Sequence, residues 1–186
     1  MDWSVNIRSV CVFCGAGSGV GSTYAKSARE FARALVANRI ELVYGGASVG
    51  LMGMLADTVL AAGGRCIGVI PQSLVDKEVA HAGLTRLEIT RTLSERKTRM
   101  MELSDAFVAL PGGAGTLDEL SEVWTAAQLG LHVKPIGVLN CGGYFDHLLR
   151  FTDHAVAEGF LDEQSRALIK VEGEAQALID ALVHPR

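Results

Sequence analysis

No stretch of this 186-residue sequence is apolar for long enough to cross a lipid bilayer, although hydrophobic residues make up 49% of it. Basic residues are not in excess either: 17 Lys and Arg stand against 21 Asp and Glu, a net charge of -4. That balance offers nothing to attract a nucleic-acid backbone or an anionic membrane, so any bound anion must be held by local geometry. Residues 1–10 carry Asp2 and Arg8 and lack a signal-peptide pattern, which predicts a cytoplasmic protein. Linkers, internal repeats and low-complexity segments are missing too. Residues 1–186 are therefore read as a single domain, large enough to bury a core.

Metal and thiol chemistry is poorly provided for. The cysteines are Cys11, Cys14, Cys66 and Cys141. Cys11 and Cys14 have the C-x-x-C spacing of redox and zinc motifs. The run Val10–Cys14, however, reads as a buried strand, on which positions three apart face opposite sides. No second C-x-x-C or histidine pair completes a zinc site, so the cysteines are read as structural and no metal is expected. His81, His132, His147, His154 and His184 lack metal-ligand spacing and are read as surface or capping residues. No G-x-S-x-G nucleophile elbow occurs. Ser18 and Ser48 sit in glycine-rich turns and are read as hydrogen-bond donors.

What the chain does have is a regular alternation. Short apolar runs at Ser9–Cys14, Glu41–Tyr44, Cys66–Ile70, Arg86–Ile89, Ala106–Leu110 and Ile136–Asn140 read as strands. Between them Thr23–Ala37, Gly50–Ala62, Leu93–Ser104, Leu117–Leu129 and Tyr144–Glu158 read as helices, and Glu172–Arg186 as a closing helix. This order predicts an α/β, Rossmann-like doubly wound fold, a mainly parallel sheet with helices on both faces. Right-handed crossovers bring the strand C-termini to one edge, where open α/β sheets bind their ligands.

Glycine is concentrated at that edge. Cys14–Gly19, Gly45–Gly50 and Pro111–Gly115 follow the first, second and fifth strands. Gly45, Gly46 and Ser48 are candidate contacts in the second turn. The third, Pro111-Gly112-Gly113-Ala114-Gly115-Thr116, runs from a strand into a helix. Glycine lets the backbone amides approach a ligand, the helix start adds free N–H groups and a positive dipole end, and Thr116 adds a hydroxyl. A phosphate is the expected guest. The loop lacks the Lys-Ser/Thr ending of a P-loop. The first turn has no clean G-x-G-x-x-G, and the second strand ends in Tyr44-Gly45-Gly46 without the acidic residue of a dinucleotide site.

Two charged residues stand out. Thr116-Leu117-Asp118-Glu119 has the T-x-x-E form of a capping box, with Thr116 at N-cap and Glu119 at N3. A phosphate at this helix start would take the amides that the cap satisfies, leaving Glu119 to face the ligand. Both readings stay open. On Leu93–Ser104, helical projection puts Leu93, Met100 and Leu103 on one apolar face, with Arg96 inside it, Arg99 at its edge, and Glu95 and Glu102 outward. A guanidinium on a buried face needs an anionic partner, either Glu119 in a structural salt bridge or a substrate phosphate.

Taken together, Pro111–Glu119 resembles the P-G-G-x-G-T-x-x-E signature of the Lonely Guy family, formerly labelled lysine decarboxylase-like. Val12-Phe13-Cys14-Gly15, Val43–Gly53, Gly68-Val69-Ile70-Pro71, Glu95-Arg96-Lys97 and Gln128-Leu129-Gly130 agree, and the likeness runs from Ser9 to Leu161. The resemblance implies a cytokinin riboside 5'-monophosphate phosphoribohydrolase. Such an enzyme cleaves the N-glycosidic bond of isoprenoid-substituted adenosine monophosphate, and of AMP, to free base and ribose 5-phosphate, with no cofactor. It implies Arg96 and Glu119 as the catalytic pair. It places substrate contacts at Glu78, Arg96, Lys97, Gly113, Ala114, Gly115, Thr116, Leu117, Asp118, Glu119 and Thr125. Leu93-Ser94 stand where many members have Met-His, a departure that bears on the base pocket.

The resemblance also implies a homodimer with helices near the active site at its interface. Leu120, Val123 and Trp124 share one helix face, which a core explains as well as an interface. The old decarboxylase label requires pyridoxal phosphate on a lysine, and Lys26, Lys77, Lys97, Lys134 and Lys170 show no such setting. The alternative function is a non-enzymatic nucleotide-binding or carrier protein on the same fold. The Arg96 and Glu119 pair favours the enzyme.

Overall fold

Side chains that alternate in direction along each central strand build a separate core on each face of the sheet. The computed structural model describes residues 6–77 and 79–184. Its seven strands are β1 (Ser9–Phe13), β2 (Glu41–Tyr44), β3 (Cys66–Pro71), β4 (Arg86–Thr90), β5 (Ala106–Ala109), β6 (Ile136–Leu139) and β7 (Ile169–Glu172). They form one sheet in the order β4-β3-β2-β1-β5-β6-β7, and each neighbouring pair is parallel. The helices are α1 (Thr23–Ala37), α2 (Gly50–Ala61), α3 (Gln72–Val75), α4 (Leu93–Glu102), α5 (Ala114–Gln128), α6 (Asp146–Ala157), α7 (Glu163–Ala167) and α8 (Ala175–Val183).

On β1, Val10, Val12 and Cys14 enter one core while Cys11 and Phe13 enter the other. Leu42 and Tyr44 oppose Val43 on β2 in the same way, and Val108 opposes Phe107 and Ala109 on β5. The first core is closed by α1, α2 and α8. Helix α1 contributes Ala28, Phe31, Ala32 and Leu35, an i, i+3, i+4, i+7 stripe. The second is closed by α4, α5 and α6 through residues such as Met100, Leu120, Val123 and Leu149. Continuous burial of the short strands is what a parallel sheet covered on both faces requires.

The two thiols of the C-x-x-C thus lie on opposite faces, and all four cysteines are free and buried. Burial pushes the Cys11 and Cys14 thiols well above the usual range and keeps them protonated. Leu120 and Val123 are core residues, and the Trp124 indole donates to the Ser165 carbonyl at 2.8 Å. The shared face of these three is thereby accounted for within the chain. Among the described residues no helix is long and apolar enough to cross a membrane.

The sheet is one strand wider than the sequence pattern suggests. Glu172, expected to open the closing helix, is instead the last residue of β7, and α8 begins at Ala175. Strand β7 is short and lies at the edge, with only Ile169 buried, so it leaves almost no periodic signal. Helix α6 starts at Asp146 rather than Tyr144, after a 3-10 turn at Cys141–Gly143. Helix α5 starts at Ala114, three residues before the expected Leu117.

From β1 the chain builds outward through β2, β3 and β4, then returns to place β5 on the other side of β1. The strand order therefore reverses between β1 and β5, where the loops beyond the two C-termini part to form a crevice. The Leu110 amide donates to the Phe13 carbonyl at 2.9 Å and the Gly15 amide to the Pro111 carbonyl at 3.0 Å, so both loops start from a fixed base.

Candidate active site

The loop after β5 is shaped to show amides. Gly113 caps α5 and no side chain bonds the helix start. The Leu117 amide is the first to close a turn, onto the Gly113 carbonyl at 3.2 Å; among the described residues the amides of Ala114, Gly115 and Thr116 have no partner. Gly112 must be glycine, because a Cβ there would overlap the Thr116 hydroxyl. The early start of α5 also disposes of the capping box. Thr116 is a buried residue inside the first turn, so Glu119 does not stand at N3 of a Thr116 cap. A T-x-x-E cap does form, but on α4: Thr92 accepts the Glu95 amide at 3.1 Å, and the Glu95 carboxylate accepts the Arg91 amide at 3.0 Å.

That cap starts α4 in the phase that aims Arg96 inward. The Arg96 side chain is 13% exposed and its Nη2 lies 3.4 Å from Oε1 of Glu119, itself 11% exposed. The guanidinium rests on Gly45, where any Cβ would overlap it. Its Nε is buried without a partner among the described residues. Arg96 is thus a nearly buried cation with one long ionic contact and a donor to spare. Burial pushes the Glu119 carboxyl above the ordinary glutamate range; Arg96 opposes that rise and Asp118 adds to it.

Arg96, Glu119, Gly112, Gly113, Gly115 and Thr116 all line one cleft of about 480 Å³ at the β1/β5 crevice. The remaining expected contacts do not. Lys97, Asp118 and Thr125 line a separate groove across α5, where Lys97 Nζ pairs with Asp118 at 2.9 Å and Glu122 at 2.6 Å. Ala114 and Leu117 are exposed and line neither. Gly45 lies beneath Arg96, and Gly46 is packed against Ile70 and Leu87. Ser48 donates through its amide and its hydroxyl to the Val79 carbonyl, at 2.8 and 3.3 Å. Glu78 lies outside the described residues.

Leu93, expected on the apolar face of α4, is 58% exposed, because the first turn of the helix extends past the second core. His81 and His132 are half-buried, and the Nδ1 of each accepts the amide two residues on, from Gly83 and Lys134. His81 is 11% exposed and pairs with Asp57 at 3.0 Å, while His132 Nε2 lies 2.9 Å from the Val123 carbonyl oxygen. The other three histidines are exposed, and no group of three or more metal-ligating side chains occurs among the described residues.

Sequence reasoning missed part of the cleft wall: Tyr24 on α1, Leu51 and Met52 on α2, and Tyr144 after β6. Tyr144 had a signal, since it directly follows Gly142-Gly143 beyond a strand C-terminus, the same context as the other glycine turns.

The family model described as "Possible lysine decarboxylase" matches residues 52–182. A probable cytokinin riboside 5'-monophosphate phosphoribohydrolase of Oryza sativa subsp. japonica is 49% identical over 94% of this chain and 77% of its own length. A cytokinin riboside 5'-monophosphate phosphoribohydrolase of Arabidopsis thaliana is 43% identical over 98% of this chain and 85% of its own length. Among solved structures, the molybdenum cofactor binding protein from the phototrophic bacterium Rippkaea orientalis superposes with a TM-score of 0.71 at 21% identity, covering 95% of this chain and 96% of that one. At that identity the likeness is one of fold.

The Gly45 contact yields a test of the charged pair. Gly45→Ala is expected to push the guanidinium off its seat while leaving the sheet intact. Because Arg96 holds the Glu119 carboxyl down against burial, that carboxyl should then titrate still higher. Carbon-detected NMR titration of the glutamate carboxyls reads this directly, and an unmoved Glu119 titration would show that the two groups are not coupled.

Proposed function

The chain belongs to the Lonely Guy family of cytokinin riboside 5'-monophosphate phosphoribohydrolases, and from that premise we propose that its cleft hydrolyses the N-glycosidic bond of isoprenoid-substituted adenosine 5'-monophosphate and of AMP, releasing the base and ribose 5-phosphate. One observation carries the reading. A buried Arg96–Glu119 pair faces the same cleft as a helix start whose first amides no side chain caps.

The roles follow from the chemistry. The Gly112–Thr116 loop takes the 5'-phosphate on N–H groups at the positive end of α5. Arg96, with a donor unused, adds the positive charge that a protein of net charge -4 does not supply through its overall field. Phosphate binding is remote from the bond that breaks, so it holds the ribose in place while the reacting centre changes. Departure of the base leaves positive charge on the anomeric carbon and ring oxygen, as in glycoside hydrolysis. The Glu119 carboxylate stabilises that charge and orients the attacking water. Its raised pKa makes it a stronger base than a surface glutamate.

Decarboxylase chemistry does not fit. It needs a lysine amine for a pyridoxal Schiff base, and among the described residues no lysine lines the cleft. A pure carrier role accounts for the cleft, the loop and the Arg96–Glu119 ion pair; a Glu119 carboxyl whose pKa is raised by burial, and so suited to accept a proton from water, favours the enzyme.

Assembly as a homodimer is also proposed. Beside the second groove Leu129, Leu131 and Val133 are 68%, 75% and 97% exposed, an apolar patch suited to a second copy. Light scattering at micromolar concentration should give twice the chain mass, and a monomer would end this part of the reading.

Phosphate dependence tests the loop. AMP should be cleaved with a kcat/KM far above that of adenosine, and equal values would remove the loop from the site. Glu119→Gln tests the chemistry. At 11% exposure the ionised carboxylate is disfavoured in the fold, and its ionisation costs stability as pH rises through the raised pKa. The neutral amide relieves that cost but leaves the Arg96 guanidinium without its carboxylate, so it should melt below the parent yet remain folded at neutral pH, while base release falls by roughly a hundredfold or more, the usual cost of one preorganised electrostatic group. In the parent, activity should be lost as pH falls through the Glu119 pKa, with the acid limb above the ordinary glutamate value of about 4.3. A folded variant with normal release would take Glu119 out of the mechanism.

A further inference from the structure

Tyr144 has no part in the mechanism above, yet it stands in the wall of the same cleft and touches the phosphate loop. Its hydroxyl donates to the Gly112 carbonyl at 2.6 Å. The residue is presented by a tight turn in which Gly142 and Gly143 take φ of 61° and 70°, a region that L side chains avoid. The turn is tied down behind it: Asn140 accepts the Phe145 amide and donates to Asp146, both at 2.8 Å. The Tyr144 ring meets Tyr24 edge-on at 5.4 Å and the buried Phe145 at 5.0 Å. Loop, ring and hydroxyl form a brace rather than a chance surface contact.

The loop's carbonyls show what the brace does. An amide loop that holds a phosphate must keep its own carbonyl oxygens occupied elsewhere, because each repels the anion. The Pro111 carbonyl accepts from the Gly15 amide at 3.0 Å and the Gly113 carbonyl from the Leu117 amide at 3.2 Å. Between them the Gly112 carbonyl is held by a side chain, and that side chain is Tyr144. In a planar trans peptide the C=O and the next N–H point in opposite directions. Fixing the Gly112 oxygen therefore fixes the Gly113 N–H, on a residue that lines the cleft.

We propose that Tyr144 is a positioning residue for the substrate's phosphate: its hydroxyl locks the Gly112–Gly113 peptide so that the loop offers donors and withholds an acceptor. The proposal rests on the phosphate-loop reading given above.

Tyr144→Phe deletes the hydroxyl and keeps both ring contacts. In that variant KM for AMP and the inhibition constant of ribose 5-phosphate should each rise about tenfold, the scale of one net hydrogen bond. The kcat should stay within about twofold, and the inhibition constant of adenosine, which lacks the phosphate, should not move. Tyr144→Leu, which also removes the ring, should weaken ribose 5-phosphate no more than Tyr144→Phe does. An unchanged ribose 5-phosphate constant in Tyr144→Phe overturns the proposal. So does an equal loss of adenosine and ribose 5-phosphate binding, or an effect seen only in Tyr144→Leu. If the parent protein itself binds adenosine as tightly as AMP, the phosphate-loop reading has failed, and that outcome is distinct from a failure of Tyr144.

Discussion

A guanidinium withdrawn from water must be met by a carboxylate or an anionic ligand, and the placement of Arg96 organises the rest of the site. Its position requires a bare α-carbon at Gly45, a cap at Thr92 and Glu95 that starts α4 in the right phase, and Glu119 one turn into α5. The pair is also incomplete. The 3.4 Å contact is an ionic approach rather than a strong hydrogen bond, and Arg96 Nε has no partner among the described residues. A structural ion pair buried to this degree normally satisfies its donors, since each unmet one costs about 1–3 kcal/mol. A donor without a partner among the described residues, on a nearly buried cation beside the uncapped start of α5, is what the proposed phosphate site rests on.

Anion binding in an acidic protein depends on this local arrangement. The net charge of -4 gives no long-range attraction, so the proposed phosphate site relies on contact-distance recognition by helix-start amides and one cation. Lys97, adjacent in sequence, is already committed to Asp118 and Glu122 across α5. One helix therefore sends successive basic residues to different duties, the first into the cleft and the second into a strut between α4 and α5.

The fold is shared with proteins of other activity. A superposition with a TM-score of 0.71 at 21% identity to a molybdenum cofactor binding protein shows a common fold, and a fold by itself does not fix function. What separates the present chain is chemical: the relatives at 43–49% identity carry the hydrolase name, and here a carboxyl with its pKa raised by burial lines the same cleft as the uncapped start of α5.

Much of this was legible in the sequence. The six strands of the alternating pattern, the crevice edge marked by glycine turns, and the inward phase of Arg96 follow from periodicity and from glycine's tolerance of close contacts, which are local properties. The opposed faces of Cys11 and Cys14 follow from the two-residue repeat of a strand. Four features came only from the tertiary structure. Strand β7 exists because β6 offers it an edge, not because Ile169–Glu172 has a strong pattern. T-x-x-E occurs at both Thr92 and Thr116, and only the start of α5 at Ala114, set by where β5 delivers the chain, decides which one caps. The resemblance grouped Lys97, Asp118 and Thr125 with Arg96 as substrate contacts; within this chain the two sides of α5 face different grooves, a separation that a linear motif cannot express. Tyr144 reaches Gly112 from 32 residues away, because the β6 turn closes over the β5 loop. Local chemistry is written in the order of residues; which neighbours compete for the same space is decided only when the sheet brings distant strands side by side.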